Sequence, residues 1–142
     1  RKNGNKLTKH ERLTNINVAI LSGGALLYSD NFKELTSDNF YEISIIENIS
    51  NKTFGGDTIP LDIMGKEIPE IFYNTNGYIG IFNFKSYAVN KIVDFNLYTD
   101  ILNKKIVLLR DVWSGKEYDV DGNILILKDL RRHQSILFEV VV

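Results

Sequence analysis

Apolar positions divide this chain into two parts with different periods. Leu13, Ile16, Ile20 and Leu21 recur at the spacing of one helix face, and Val18 and Ala19 widen the stripe. Thr8-Lys9-His10-Glu11 precedes them in capping-box form, a Thr hydroxyl for a free backbone N–H and a Glu three residues on. Ser22-Gly23-Gly24 stops the helix, because glycine takes the left-handed turn of a helix C-terminus without a steric penalty. Ala25 to Tyr28 is a short apolar run between Gly-Gly and Ser29-Asp30, and it reads as a buried strand. Asn31 to Leu35 reads as a helical turn. Ser37 or Asp38 then caps a second helix, with Phe40, Ile43, Ile46 and Ile49 at a spacing of three. Residues 8–50 therefore read helix, strand, helix. The single strand of that unit needs neighbours for its backbone groups.

After residue 51 the period shortens. Asn51-Lys52-Thr53, Gly55-Gly56, Thr58-Ile59-Pro60 and Pro69 form a turn-rich connector. The boundary falls near residue 52, giving a helix–strand–helix segment over 1–51 and a β domain over 52–142. Ile68 to Thr75 meets Asn76-Gly77, a strong hairpin signal. Tyr78 to Phe84 is apolar on both faces and reads as a central strand. Ala88 to Leu97 alternates, with room for a bulge. Lys104 to Leu109 leads into Asp111-Val112-Trp113-Ser114-Gly115, and Ser114-Gly115 is a turn. Lys116 to Val120, a second turn at Asp121-Gly122, Ile124 to Leu127 and Ser135 to Val142 complete the series. Short apolar runs punctuated in this way predict a sandwich or barrel. The fold class expected is mainly β: a C-terminal antiparallel β-sandwich preceded by a short helix–strand–helix segment, with Trp113 as its core anchor.

Composition narrows the chemistry. Apolar residues make up 44% of the chain and charged residues 25%, ordinary proportions for a globular domain. The formal net charge of −1 gives no global field for nucleic acid or an anionic membrane. Cysteine is absent, and His10 and His133 stand far apart with no ligand spacing, so no metal or cofactor is implied. No apolar run approaches the roughly 20 residues of a membrane-spanning helix. The chain starts at Arg1 and its only methionine is Met64, so it reads as a fragment or processed product. The lack of cysteine and of a visible leader favours the cytoplasm.

Few residues stand out as chemical groups. Asp119 and Asp121 flank a turn and read as turn residues. Glu34, Asp38, Glu42 and Glu47 read as helix caps and solvated faces. His133 reads as a hydrogen-bonded turn residue. Trp113 offers a flat face for a sugar, but a lone Trp between strand and turn reads first as core. No catalytic pair is assigned.

Three stretches carry a family resemblance. Ile20-Leu21-Ser22-Gly23-Gly24-Ala25-Leu26-Leu27-Tyr28-Ser29-Asp30 is similar to the last barrel stretch of α-galactosidases (melibiases) of the clan that joins a (β/α)8 barrel to a C-terminal antiparallel β-sandwich. Gly80-Ile81-Phe82-Asn83-Phe84 resembles a strand of that sandwich. Arg110-Asp111-Val112-Trp113-Ser114-Gly115, followed by Arg132-His133 and a terminal apolar strand, resembles the family's Asp-x-Trp-x-Gly turn and closing segment; Arg132 stands where the family often has proline.

The resemblance implies the C-terminal, non-catalytic part of a glycoside hydrolase. The intact enzyme would release terminal α-galactosides by a retaining mechanism, whose two carboxylates lie about 5–5.5 Å apart. In the family those carboxylates sit on earlier barrel strands, upstream of this chain. Asp30 is the one substrate-binding candidate: at the end of a last barrel strand it would line the sugar pocket, or else cap the helix at Asn31. The partners implied are a carbohydrate (an α-galactoside) and the missing barrel. An apolar surface left bare around residues 13–28 would drive oligomerisation. The competing expectation is an autonomous carbohydrate- or protein-binding sandwich whose helix is covered by its own chain. Exposure of Leu13, Ile16 and Leu26 separates the two.

Overall fold

A computed structural model describes residues 8–22, 40–63 and 68–142, the side chains of residues 40–43 excepted. The strand expected at Ala25 to Tyr28, the turn at Asn31 to Leu35, the cap at Ser37 or Asp38, and Asp30 lie outside the described residues.

Helix α1 (Lys9–Leu21) begins where its sequence predicts. Thr8 Oγ1 accepts from the Glu11 N–H at 3.1 Å, and Glu11 Oε1 accepts from the Thr8 N–H at 2.9 Å. The helix stops at Ser22. Helix α2 (Phe40–Thr53) buries Ile46 and Ile49. It runs on to Thr53, whose buried hydroxyl donates to the Ile49 carbonyl at 3.0 Å.

Eight strands follow: β1 (Thr58–Pro60), β2 (Ile71–Asn74), β3 (Tyr78–Phe82), β4 (Val89–Asp94), β5 (Leu108–Asp111), β6 (Glu117–Asp119), β7 (Ile124–Leu130) and β8 (Ser135–Val140). They form two antiparallel sheets, one of six strands in the order β1-β2-β3-β8-β5-β6 and one of the pair β4-β7. The fold is the sandwich expected.

The sheet pattern explains which strands lack polar faces. Ile79 and Ile81 of β3, Ile136, Phe138 and Val140 of β8, and Leu109 of β5 point toward β4 and β7 and meet Val93, Leu125 and Leu127 there. The alternate residues Tyr78 and Phe82 of β3 and Leu137 of β8 point the other way, onto Ile16, Ile20 and Leu21 of α1 and Ile46 and Ile49 of α2. The molecule thus has three layers: helices, six-stranded sheet, two-stranded sheet. β3 lies between two apolar layers, which is why all five of its residues are buried.

The close approach of helix to sheet depends on Gly80. A Cβ there would come within 2.5 Å of Leu21 Cδ1 and 2.9 Å of the Phe82 ring. This packing overturns the expectation of a bare α1. Ile16 is 2% exposed and Leu13 is half-buried, both against the chain's own sheet.

Local details of the strands have physical reasons. The β2–β3 hairpin turns through Thr75, Asn76 and Gly77, with Gly77 at φ 98° and its N–H donating to the Asn74 carbonyl at 2.8 Å. The strand expected to reach Leu97 ends at Asp94. The Asp94 carboxylate accepts from the Asn96 N–H at 3.0 Å and starts a 3-10 turn, Phe95–Tyr98, which drops Phe95 into the core. A short helix, α3 (Thr99–Leu102), follows. The expected bulge is present between Val89 and Lys91. Trp113 is not the anchor of the inter-sheet core. That role falls to Phe95 and Phe138, while Trp113 sits half-buried at the rim of the helix–sheet cluster.

Candidate functional site

The helical period puts Thr14 and Asn17 on the inner side of α1, among residues that pack on the sheet. Polar groups buried there need partners. Ser135, at the start of β8, supplies them. Its Oγ lies 2.8 Å from Thr14 Oγ1 and accepts from Asn17 Nδ2 at 2.8 Å. Thr14 Oγ1 is also 2.7 Å from the His133 carbonyl, which a positive φ at His133 turns toward the helix. The remaining Asn17 oxygen accepts from Trp113 Nε1 at 2.8 Å. Asn17 itself is fully buried, so the indole is held by a group that cannot move far.

The turn that carries Trp113 is fixed separately. Asp111 Oδ1 accepts from the Trp113 N–H at 2.8 Å, and the Gly115 N–H donates to the Asp111 carbonyl at 2.8 Å with Gly115 at φ 76°.

These two devices frame a groove of about 500 Å³ between the first turns of α1, the Trp113 turn and the start of β8. Lys9, His10 and Arg12 line one wall, Trp113 and Ser114 the other, and Gln134 an end. A second hollow of about 570 Å³ adjoins it, sharing His10 and Gln134 and adding Arg131 and Arg132. Of the residues here, the sequence reading weighed only Trp113 as a sugar contact. Asn17 was missed, though a readable signal existed: an amide inside an apolar helical stripe.

Several of the described carboxylates have structural partners. Asp62 accepts from the Glu70 and Ile71 N–H groups at 3.0–3.1 Å. Glu70 pairs with Lys91 at 2.8 Å, joining the loop before β2 to β4. Arg110 bridges Glu117 at 2.9 Å and Glu139 at 3.2 Å. Its hydrogen bond to Glu117 raises the guanidinium further above its ordinary value. Burial raises the Tyr78 phenol, and Glu139, directly across on β8, adds to the rise. Asp119 and Asp121 are exposed beside the β6–β7 turn. Among the described residues no three His, Asp or Glu come together as metal ligands, and no helix is long and apolar enough to cross a membrane.

One further hollow, about 240 Å³, is lined by apolar groups that include Val18, Leu21, Ile68, Phe72 and Phe84. Val18 at 41%, Ile68 at 64% and Phe84 at 38% are its exposed apolar members.

No protein-family model and no curated protein matches the sequence. Solved structures do match. A GH27 β-L-arabinopyranosidase from Geobacillus stearothermophilus superposes with a TM-score of 0.65 at 14% identity, over 96% of this chain and 31% of its own. A variant of that enzyme in complex with arabinose gives 0.64 at 14% identity, over 96% and 31%. A Bacillus halodurans C-125 protein assigned as an α-N-acetylgalactosaminidase gives 0.66 at 16% identity, over 96% and 32%. These likenesses establish a shared fold. The chain spans about a third of the length of these neighbours, and the matching part is their C-terminal part.

Proposed function

We propose that this chain is the C-terminal, non-catalytic part of a glycoside hydrolase of the α-galactosidase kind. The observation that carries the proposal is the extent of the match. The helices and the sandwich together, 96% of the chain, match about a third of each of three solved structures, two of a GH27 β-L-arabinopyranosidase and one of a protein assigned as an α-N-acetylgalactosaminidase. The sandwich and its helix layer then serve as a rigid support for a barrel domain. The retaining pair of carboxylates and the pocket for a terminal α-galactoside belong to that barrel, with Asp30 as this chain's one contribution to the pocket. Residues 1–51 are its barrel-derived segment and 52–142 its sandwich, joined through the helix–sheet cluster.

The test has two arms. A blot of source extract with an antibody against this chain is expected to detect a polypeptide roughly three times its length, in proportion to the neighbours. The purified chain is expected to give no turnover of an aryl α-galactoside. Turnover by the pure chain, or a native polypeptide of this length alone, overturns the proposal.

The second reading, an autonomous binding module, has one observation in its favour. Ile16 is covered by the chain's own sheet, as that reading requires. Because the glycosidase match also includes α1, this packing is compatible with both.

A further inference from the structure

We propose that the groove between α1 and the Trp113 turn binds an acidic oligosaccharide, one bearing carboxylate or sulfate groups. Of the cations lining the two adjoining hollows, Arg131 pairs with Asp129 and Arg12 is engaged as well, which leaves Lys9 and Arg132 beside the carboxylate of Asp111, a formal excess of +1 (two less one) on a chain of net charge −1. Both carboxylates are engaged. Asp111 holds the amides of its own turn, and Asp129 pairs with Arg131 at 3.1 Å. Lys9 lines one hollow and Arg132 the other, and both are exposed, so an anion meets them without a desolvation barrier.

The second part is shape. An indole beside the cations offers an apolar face to the C–H side of a pyranose ring. Here the indole is anchored by its Nε1 bond to the buried Asn17, so little side-chain entropy remains to be lost on binding. Gln134 and Ser114 add an amide and a hydroxyl beside it, the groups that meet sugar hydroxyls. Each hollow, at about 500 and 570 Å³, falls in the size range of ligand sites. A neutral sugar would leave Lys9 and Arg132 unused, and a bare inorganic anion would leave the indole unused. The combination selects a ligand that is both ring and anion.

This inference does not rest on the glycosidase reading, and its test involves no catalysis. Trp113 is the chain's sole tryptophan, so its intrinsic fluorescence reports the groove directly. The chain is titrated with trigalacturonate, a sulfated trisaccharide, neutral galactotriose and inorganic phosphate. A saturable change in emission is expected with one or both acidic sugars, and which binds more tightly separates the carboxylate from the sulfate source. The double variant Lys9→Gln/Arg132→Gln changes exposed side chains only. It is expected to weaken that binding at least about tenfold, the size of losing one charge-assisted hydrogen bond. Added salt is expected to weaken it in wild type. No saturable change, an undiminished affinity in the double variant, or equal binding of galactotriose or phosphate overturns the proposal.

Discussion

Asn83 closes the sandwich at one end. It is fully buried, and its Nδ2 lies within hydrogen-bond distance of the carbonyls of Tyr87, Leu130 and Arg131, at 2.9–3.1 Å. Its Oδ1 accepts from the Lys85 N–H at 2.9 Å. One amide therefore ties the exit of β3 to the connection between β7 and β8. Asn83→Ala would leave those backbone groups without a partner, so it should cost about 2–3 kcal/mol in a urea unfolding curve, within the range for orphaned buried polar groups. Asn17 does the same work on the other side of the sheet, but its bonds go to side chains, Ser135 and Trp113. An amide in an apolar stripe is readable as a buried polar group. Its partners are not, since Asn17 and Trp113 are 96 positions apart.

At the scale of elements, the best-specified feature was α1. Its capping box and its stop at Ser22 are local chemistry, and the structure reproduces both. What α1 packs against was not local. The answer depends on Gly80, whose missing side chain lets Leu21 approach β3. Gly80→Val should push α1 off the sheet. Thermal unfolding should reveal a loss of about 2–4 kcal/mol, at or above the usual range for overpacking. Trp113 emission should shift to longer wavelength, because the indole rests on Asn17 of that helix. An unchanged melting temperature and spectrum would mean that Gly80 is not what seats the helix. The strand at Ala88 to Leu97 shows the opposite case. Alternation continued past Asp94, but a single carboxylate bonded two residues on turned the chain into a 3-10 turn, with Phe95 kept on the core side beside Val93. Local side-chain capping competes directly with strand continuation.

For the molecule as a whole, three layers share one central sheet. Tyr78, Phe82 and Leu137 are buried only while the helix layer is in place. Removal of residues 1–22 should therefore expose a contiguous apolar face. The shortened chain is expected to bind a hydrophobic dye and to elute as aggregates in size-exclusion chromatography, where the full chain gives a defined peak. A monomeric, dye-negative truncation would show that the sandwich stands without its helix and would favour the autonomous module. The match with the solved structures likewise takes in 96% of the chain, helices included.

The sequence by itself determined the kinds of element and most of their limits: a capped helix, then strands separated by Gly77, Gly115 and Gly122, each at positive φ where a turn requires it. These follow from interactions within a few residues, so a linear reading finds them. It also carried enough order in three short stretches to suggest the family whose fold the chain shares. Only the tertiary structure decided that α1 lies on the sandwich, that Phe95 and Phe138 rather than Trp113 fill its centre, and that Trp113 lines a basic groove. Those outcomes depend on β8 inserting between β3 and β5 and presenting Ser135 to Asn17. Such pairings are set by how whole faces fit together, and no window along the chain contains them.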